Sequence, residues 1–118
     1  MDNPDSIAAL TADIREFARE RDWEKFHDPK SLILALVGEV GELAELFQWV
    51  PAADAVEVFA DPTRRVRAGE EISDVLIYLL RLADVLGVDV GPAAVAKLAD
   101  SKARFPVSSV SGVAPDRD

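Results

Sequence analysis

The chain has no cysteine, which excludes disulfides, thiolate nucleophiles and every cysteine-ligated metal site. It has one histidine, His27, so histidine-rich zinc and copper centres are excluded too. A di-iron carboxylate bundle draws on Glu-x-x-His pairs, and no histidine follows His27. Positive charge is also scarce: 13 Lys and Arg stand against 22 Asp and Glu, a formal net charge of −9. Broad electrostatic binding to a nucleic-acid polymer or to an anionic membrane is therefore not expected. A nucleotide substrate stays admissible, because bound cations reverse the local field. No apolar run is long enough to span a bilayer, and the acidic start Met1-Asp2-Asn3-Pro4-Asp5 is unlike a signal peptide. A cytoplasmic protein is the expectation.

What is present is apolar and helical. Hydrophobic residues make up 49% of 118, enough for one domain with a real core. There is no internal repeat and no strand-like alternation, so the fold class expected is all-α with four main helices. Asp5 or Ser6 caps the first, whose stripe is Ile7, Leu10, Ile14 and Phe17, ending near Arg21. Asp28 followed by Pro29 starts the second, which runs to about Trp49 before Pro51 stops it. A connector over 50–61 leads to Asp61-Pro62 and a third helix ending near Leu86 at Gly87. Gly91-Pro92 opens a fourth, closed by Phe105-Pro106. Residues 1–106 read as the helical domain and 107–118 as a flexible tail. So many apolar faces on a small chain imply burial between subunits.

Two acidic pairs interrupt these apolar runs. Glu39 and Glu42 follow Leu32-Ile33-Leu34-Ala35-Leu36-Val37-Gly38, and Glu71 and Asp74 precede Val75-Leu76-Ile77-Tyr78-Leu79-Leu80. On a helix, residues three apart project from one face. A lone E-x-x-E is usually a solvated face. Carboxylates embedded in apolar helices instead lose hydration and require protons or cations between them. If the two faces meet, the hard oxygen donors favour Mg²⁺, with Mn²⁺ or Ca²⁺ possible, over softer metals. Gly38 and Gly41 beside the first pair each cost about 1 kcal/mol in a helix; they would let a backbone or a ligand approach closely.

Trp23, Phe26 and His27 crowd one connection. They either plug the helical core or wall a planar ligand. Lys97, Lys102 and Arg104 supply the positive charge a triphosphate would want, while Thr63-Arg64-Arg65-Val66-Arg67 reads as a solvated run.

With E-x-x-E and E-x-x-D on successive helices, the chain resembles the all-α nucleoside triphosphate pyrophosphohydrolases of the MazG-like superfamily. It resembles most closely their dCTP pyrophosphatase branch. The likeness runs over roughly residues 10–107 and rests on three stretches: Phe17 to His27, Ala35 to Trp49, and Glu71 to Leu79. It implies a MazG-like bundle, assembled as a dimer or tetramer whose active sites draw on neighbouring subunits. It implies Mg²⁺-assisted hydrolysis of a (deoxy)nucleoside triphosphate, dCTP or a modified dCTP, to monophosphate and pyrophosphate. By the same resemblance Glu39, Glu42, Glu71 and Asp74 are the metal ligands. Trp23, His27, Trp49 and Tyr78 enclose base and sugar, and Lys97 is a basic phosphate-side residue. Ile14, Ser101 and Phe105 stand where vertebrate members have histidine, asparagine and tyrosine, which removes polar contacts on which strict cytosine selectivity relies.

The general base is expected among the metal-binding carboxylates, Glu42 included, or at Glu45 one further step along the helix, and the sequence does not choose between them. No covalent nucleophile is evident. The alternatives are a broader-specificity or dUTP-directed member of the same class, action on phosphoribosyl-ATP, and a non-enzymatic helical interaction module.

Overall fold

A computed structural model of the chain describes residues 3–4 and 6–114. Every regular element among them is helical, and two compact units divide the chain after Val88.

The first helix, α1 (Ile7–Glu20), starts where the Ser6 hydroxyl accepts the Ala9 N–H at 3.1 Å; Asp5 lies outside the described residues. It stops in a Schellman turn. The Trp23 N–H donates to the Ala18 carbonyl at 2.9 Å and the Asp22 N–H to that of Arg19 at 3.1 Å. Asp22 takes the left-handed conformation this turn needs, at φ 54°. The turn delivers Trp23 edge-on to Phe17, ring centroids 5.6 Å apart. A 3₁₀ turn over Glu24–Phe26 then leads to α2 (Pro29–Glu45), capped by Asp28, whose carboxylate accepts the Ser31 N–H at 2.9 Å.

The expected run to about Trp49 is too long: α2 ends at Glu45. From Leu46 onward amides bond three residues back instead of four, Leu46 to Leu43, Phe47 to Ala44 and Val50 to Phe47. This tighter winding precedes the stacking of Phe47 on Phe59, centroids 4.4 Å apart. The connector contains one further turn, α3 (Ala55–Val58). Asp61 then caps α4 (Pro62–Val85) through the Arg64 N–H at 3.1 Å. A second Schellman turn ends it, with Gly87 at φ 71°.

Helix α4 packs along both α2 and α1. Between them sit Ala18, Leu32, Leu36, Ala68 and Leu80, with two charged residues, Glu71 and Arg81. Burying Leu32 and Leu80 stabilises the unit by about 1.5–3 kcal/mol each. Much apolar surface remains outside this core, including Leu34, Val37, Val66 and Ile72.

The second unit holds α5 (Val90–Arg104) and the single turn α6 (Val107–Val110). Helix α5 begins at Val90, ahead of the expected Gly91-Pro92 start; Pro92 fits because amides of a first turn have no helical partner. The turn of α6 falls in the stretch read as a flexible tail. No helix among the described residues is long and apolar enough to cross a membrane.

Candidate functional site

Two helix stripes build the site. On α4, Arg67, Glu71, Asp74, Tyr78 and Arg81 follow at steps of four, three, four and three. At 100° per residue they fall within an arc of about 80°, and Glu71 and Tyr78 stand about 10 Å apart along the axis. On α2, Leu32 and Leu36 are buried, and Glu39 continues the same stripe one turn on. Packing of the two leucines thus carries Glu39 to the margin of the core, while Glu42 and Glu45 stay exposed.

Where the stripes meet, Glu39, Glu42 and Glu71 each place a carboxylate oxygen within 4.8 Å of the others. Glu71 is 2% exposed, with Oε1 held 2.7 Å from Arg67 Nη1. Oε2 of Glu71 and Oε2 of Glu39 are buried with no hydrogen-bond partner among the described residues. A buried acceptor without a partner costs about 1–3 kcal/mol, more when charged. Burial pushes the Glu39 carboxyl above its ordinary value, and the charges of Glu42, Asp74 and Glu71 push the same way. Orphaned oxygens, a dominantly anionic neighbourhood and purely hard donors fit a divalent cation of the Mg²⁺ or Mn²⁺ kind. Asp74, one turn beyond Glu71, is exposed and outside the trio, although its charge is felt at Glu39. Glu45 is likewise outside it.

The glycines add an opening. A Cβ on Gly38 or Gly41 would meet nothing within 4 Å, so neither serves close packing against the described residues.

Farther along α4 is a cavity of about 130 Å³, lined by Trp23, His27, Tyr78 and Arg81 with Ile14 and Phe17. Three of the four expected base-enclosing residues therefore share one pocket. The fourth, Trp49, is 87% exposed on the turn after α2. Lys97 and Arg104 belong to α5, in the second unit. Within that unit Lys97 pairs loosely with Asp100 at 3.8 Å, and Arg104 lies over the Phe105 ring.

Two arginines escaped the sequence pattern. Arg67, expected in a solvated run, contacts the buried Glu71. It also lines, with Arg64, a cavity of about 390 Å³ against Leu46, Val50 and Phe59. Arg81 is buried in the aromatic pocket and donates to His27. Its signal was available: a lone charge inside Leu79-Leu80-Arg81-Leu82, three residues beyond Tyr78.

Known proteins are similar to this chain in sequence and in fold. The dCTP pyrophosphatase 1 of Bos taurus is 50% identical over 99 residues, 84% of this chain and 59% of that protein. The Homo sapiens protein of the same name is 52% identical over 91 residues, 77% of this chain and 54% of that protein. The chain thus spans little more than half the length of these curated relatives. A pyrophosphatase crystal structure from Archaeoglobus fulgidus superposes with TM-score 0.78 at 36% identity, covering 90% of this chain and 97% of that one. Residues 35–113 match the profile of the MazG-like family, and the chain belongs to that family, in the branch that holds the dCTP pyrophosphatases.

Proposed function

We propose that the chain is a Mg²⁺-dependent nucleoside triphosphate pyrophosphohydrolase acting on dCTP or a modified dCTP. The observation that carries this reading is the pair of orphaned oxygens on Glu39 and Glu71, which converge with Glu42 from two helices. Its likeness to the dCTP pyrophosphatases supports the same reaction.

Glu39, Glu42 and Glu71 would hold the cation, with Asp74 joining from the next turn of α4. When bound, a divalent cation supplies charge neutralisation to the triphosphate oxygens. The chain does the rest. Glu42, the exposed member of the trio, accepts a proton from the attacking water, with Glu45 the alternative base. That water's oxygen bonds to the α-phosphorus as the bridge to the β-phosphate breaks. The products are a nucleoside monophosphate and pyrophosphate. Trp23, His27 and Tyr78 hold the base. The separation of about 10 Å along α4 between Glu71 and Tyr78 leaves room for the sugar and first phosphate between the two ends.

The fold is read as MazG-like, with four main helices, α1, α2, α4 and α5. Self-association into a dimer or tetramer covers the exposed apolar faces, brings a second copy against Gly38 and Gly41, and gives Trp49 a site to close. Lys97 and Arg104 then serve the phosphate side. The setting is the cytoplasmic nucleotide pool, where the activity removes unwanted triphosphates; a nucleic-acid polymer or a membrane is not a partner.

Product analysis tests this. With Mg²⁺, dCTP is expected to yield monophosphate and pyrophosphate, faster than the other common deoxynucleotides and ribonucleotides, and chelator is expected to stop it. Diphosphate with inorganic phosphate would move the chemistry to the γ-phosphorus. Faster turnover of dUTP would move the substrate.

A further inference from the structure

Arg81 is 7% exposed. Its Nε donates to Nδ1 of His27 at 3.0 Å, and its Nη1 to Oδ2 of Asp84 at 3.2 Å. Asp84 is clamped in turn by Arg15, which donates from Nε at 2.8 Å and from Nη2 at 2.7 Å. Asp84, itself held by Arg15 of α1, thus anchors the arginine along α4 while His27 meets it from the loop before α2. A residue serving packing alone here would be apolar, as Leu80 and Leu82 are.

The chemistry of this contact has one solution. A guanidinium stays protonated in proteins and offers no acceptor, so the ring nitrogen it touches must carry the lone pair. His27 is then neutral with its proton on Nε2. Burial, and after it the Arg81 charge, also move the His27 imidazole below its ordinary value, against a smaller opposing pull from Glu24. The pocket is accordingly lined by an imidazole whose Nε2–H, and by an arginine whose Nη2, make no hydrogen bond among the described residues. No carboxylate lines it.

We propose that Arg81 is the positioning residue of the aromatic pocket, fixing His27 as an Nε2–H donor so that the pocket selects nucleobases by their acceptor atoms, a ring carbonyl or an unprotonated ring nitrogen. The selection of a base rests on the nucleotide reading above; the state of the ring does not.

Because His27 is the sole histidine, nitrogen-15 histidine labelling reports one ring. In the wild type at neutral pH, Nε2 is expected to give a protonated and Nδ1 an unprotonated signal. Arg81→Met is expected to raise the ring's titration midpoint and to raise KM for dCTP about tenfold, the effect of losing one hydrogen-bond arrangement. KM for a triphosphate lacking a base should be unchanged, and Arg81→Lys should restore part of the dCTP value. If Arg81→Met does not fold, Asp84→Asn loosens Arg81 without removing it and should shift the ring signals the same way. A proton on Nδ1 in the wild type, ring signals indifferent to Arg81, or equal KM increases for both triphosphates would overturn the proposal. Absent turnover in a wild type with the expected ring state would overturn the hydrolase reading instead. The pocket would then be read by shifts of the ring signals on adding deoxycytidine monophosphate, and their absence would overturn base selection.

Discussion

Arg67 Nη1 stands 2.7 Å from Oε1 of Glu71, one helical turn away, while Oε2 of the same carboxylate has no hydrogen-bond partner among the described residues. One oxygen is answered from within α4 and the other by none of the described residues. That half-satisfied state has consequences for stability with and without metal.

Glu71→Gln removes a charge from the crowded trio and leaves an amide oxygen beside Arg67. Without metal, the variant is expected to be about 1 kcal/mol more stable than wild type. Added Mg²⁺ should raise the melting temperature of the wild type and leave that of the variant unmoved. Arg67→Ala should do the opposite, destabilising the metal-free protein by about 1–3 kcal/mol because both Glu71 oxygens then lack partners. Thermal unfolding with chelator and with Mg²⁺ checks both.

Glu39 predicts a pH dependence of definite sign. Its folded pKa is raised above the ordinary 4.5 by burial first and by neighbouring carboxylates second. Between those two values the folded state keeps a proton that the unfolded state has released. Its contribution therefore falls as pH rises through that window. Denaturant midpoints in chelator should show this fall in the wild type relative to Glu39→Gln. Saturating Mg²⁺ should abolish the difference or reverse it, because the ion favours the ionised form.

The two Schellman turns make opposite predictions. Asp22 bears a Cβ in the left-handed region, where Gly87 does not. Asp22→Gly is expected to stabilise by up to about 1 kcal/mol, and Gly87→Ala to destabilise by about 1–2 kcal/mol. Equilibrium unfolding distinguishes the signs. A destabilised Asp22→Gly would mean that the exposed Lys25 partner at 2.9 Å outweighs backbone strain.

How much of this is legible in residues alone depends on the range of the interaction. Asp28-Pro29 and Asp61-Pro62 announce their helices because a cap acts over three residues. The acidic trio is legible because one member of each i, i+3 pair, Glu39 and Glu71, sits where apolar neighbours turn it inward, while Glu42 and Asp74 stay exposed. The end of α2 is not: Pro51 sets an outer limit, but the change to i−3 bonding at Leu46 has no local marker, and Phe59, on which Phe47 stacks, lies beyond the next turn. The pairing of Arg15 with Asp84 joins residues 69 positions apart and has no sequence signature. Arg81 was readable as an anomaly, and its partner His27 was not. Trp49 lies 87% exposed, and nothing in its local sequence announces that exposure.

The central claim is that Glu39, Glu42 and Glu71 form a divalent-cation site. Titration with Mn²⁺, followed by the electron paramagnetic resonance signal of the free ion, measures it directly. The wild type is expected to remove Mn²⁺ saturably, Mg²⁺ to compete, and Glu39→Gln and Glu71→Gln each to weaken binding at least about tenfold. Equal Mn²⁺ uptake by wild type and both variants, or none by the wild type, would contradict the account.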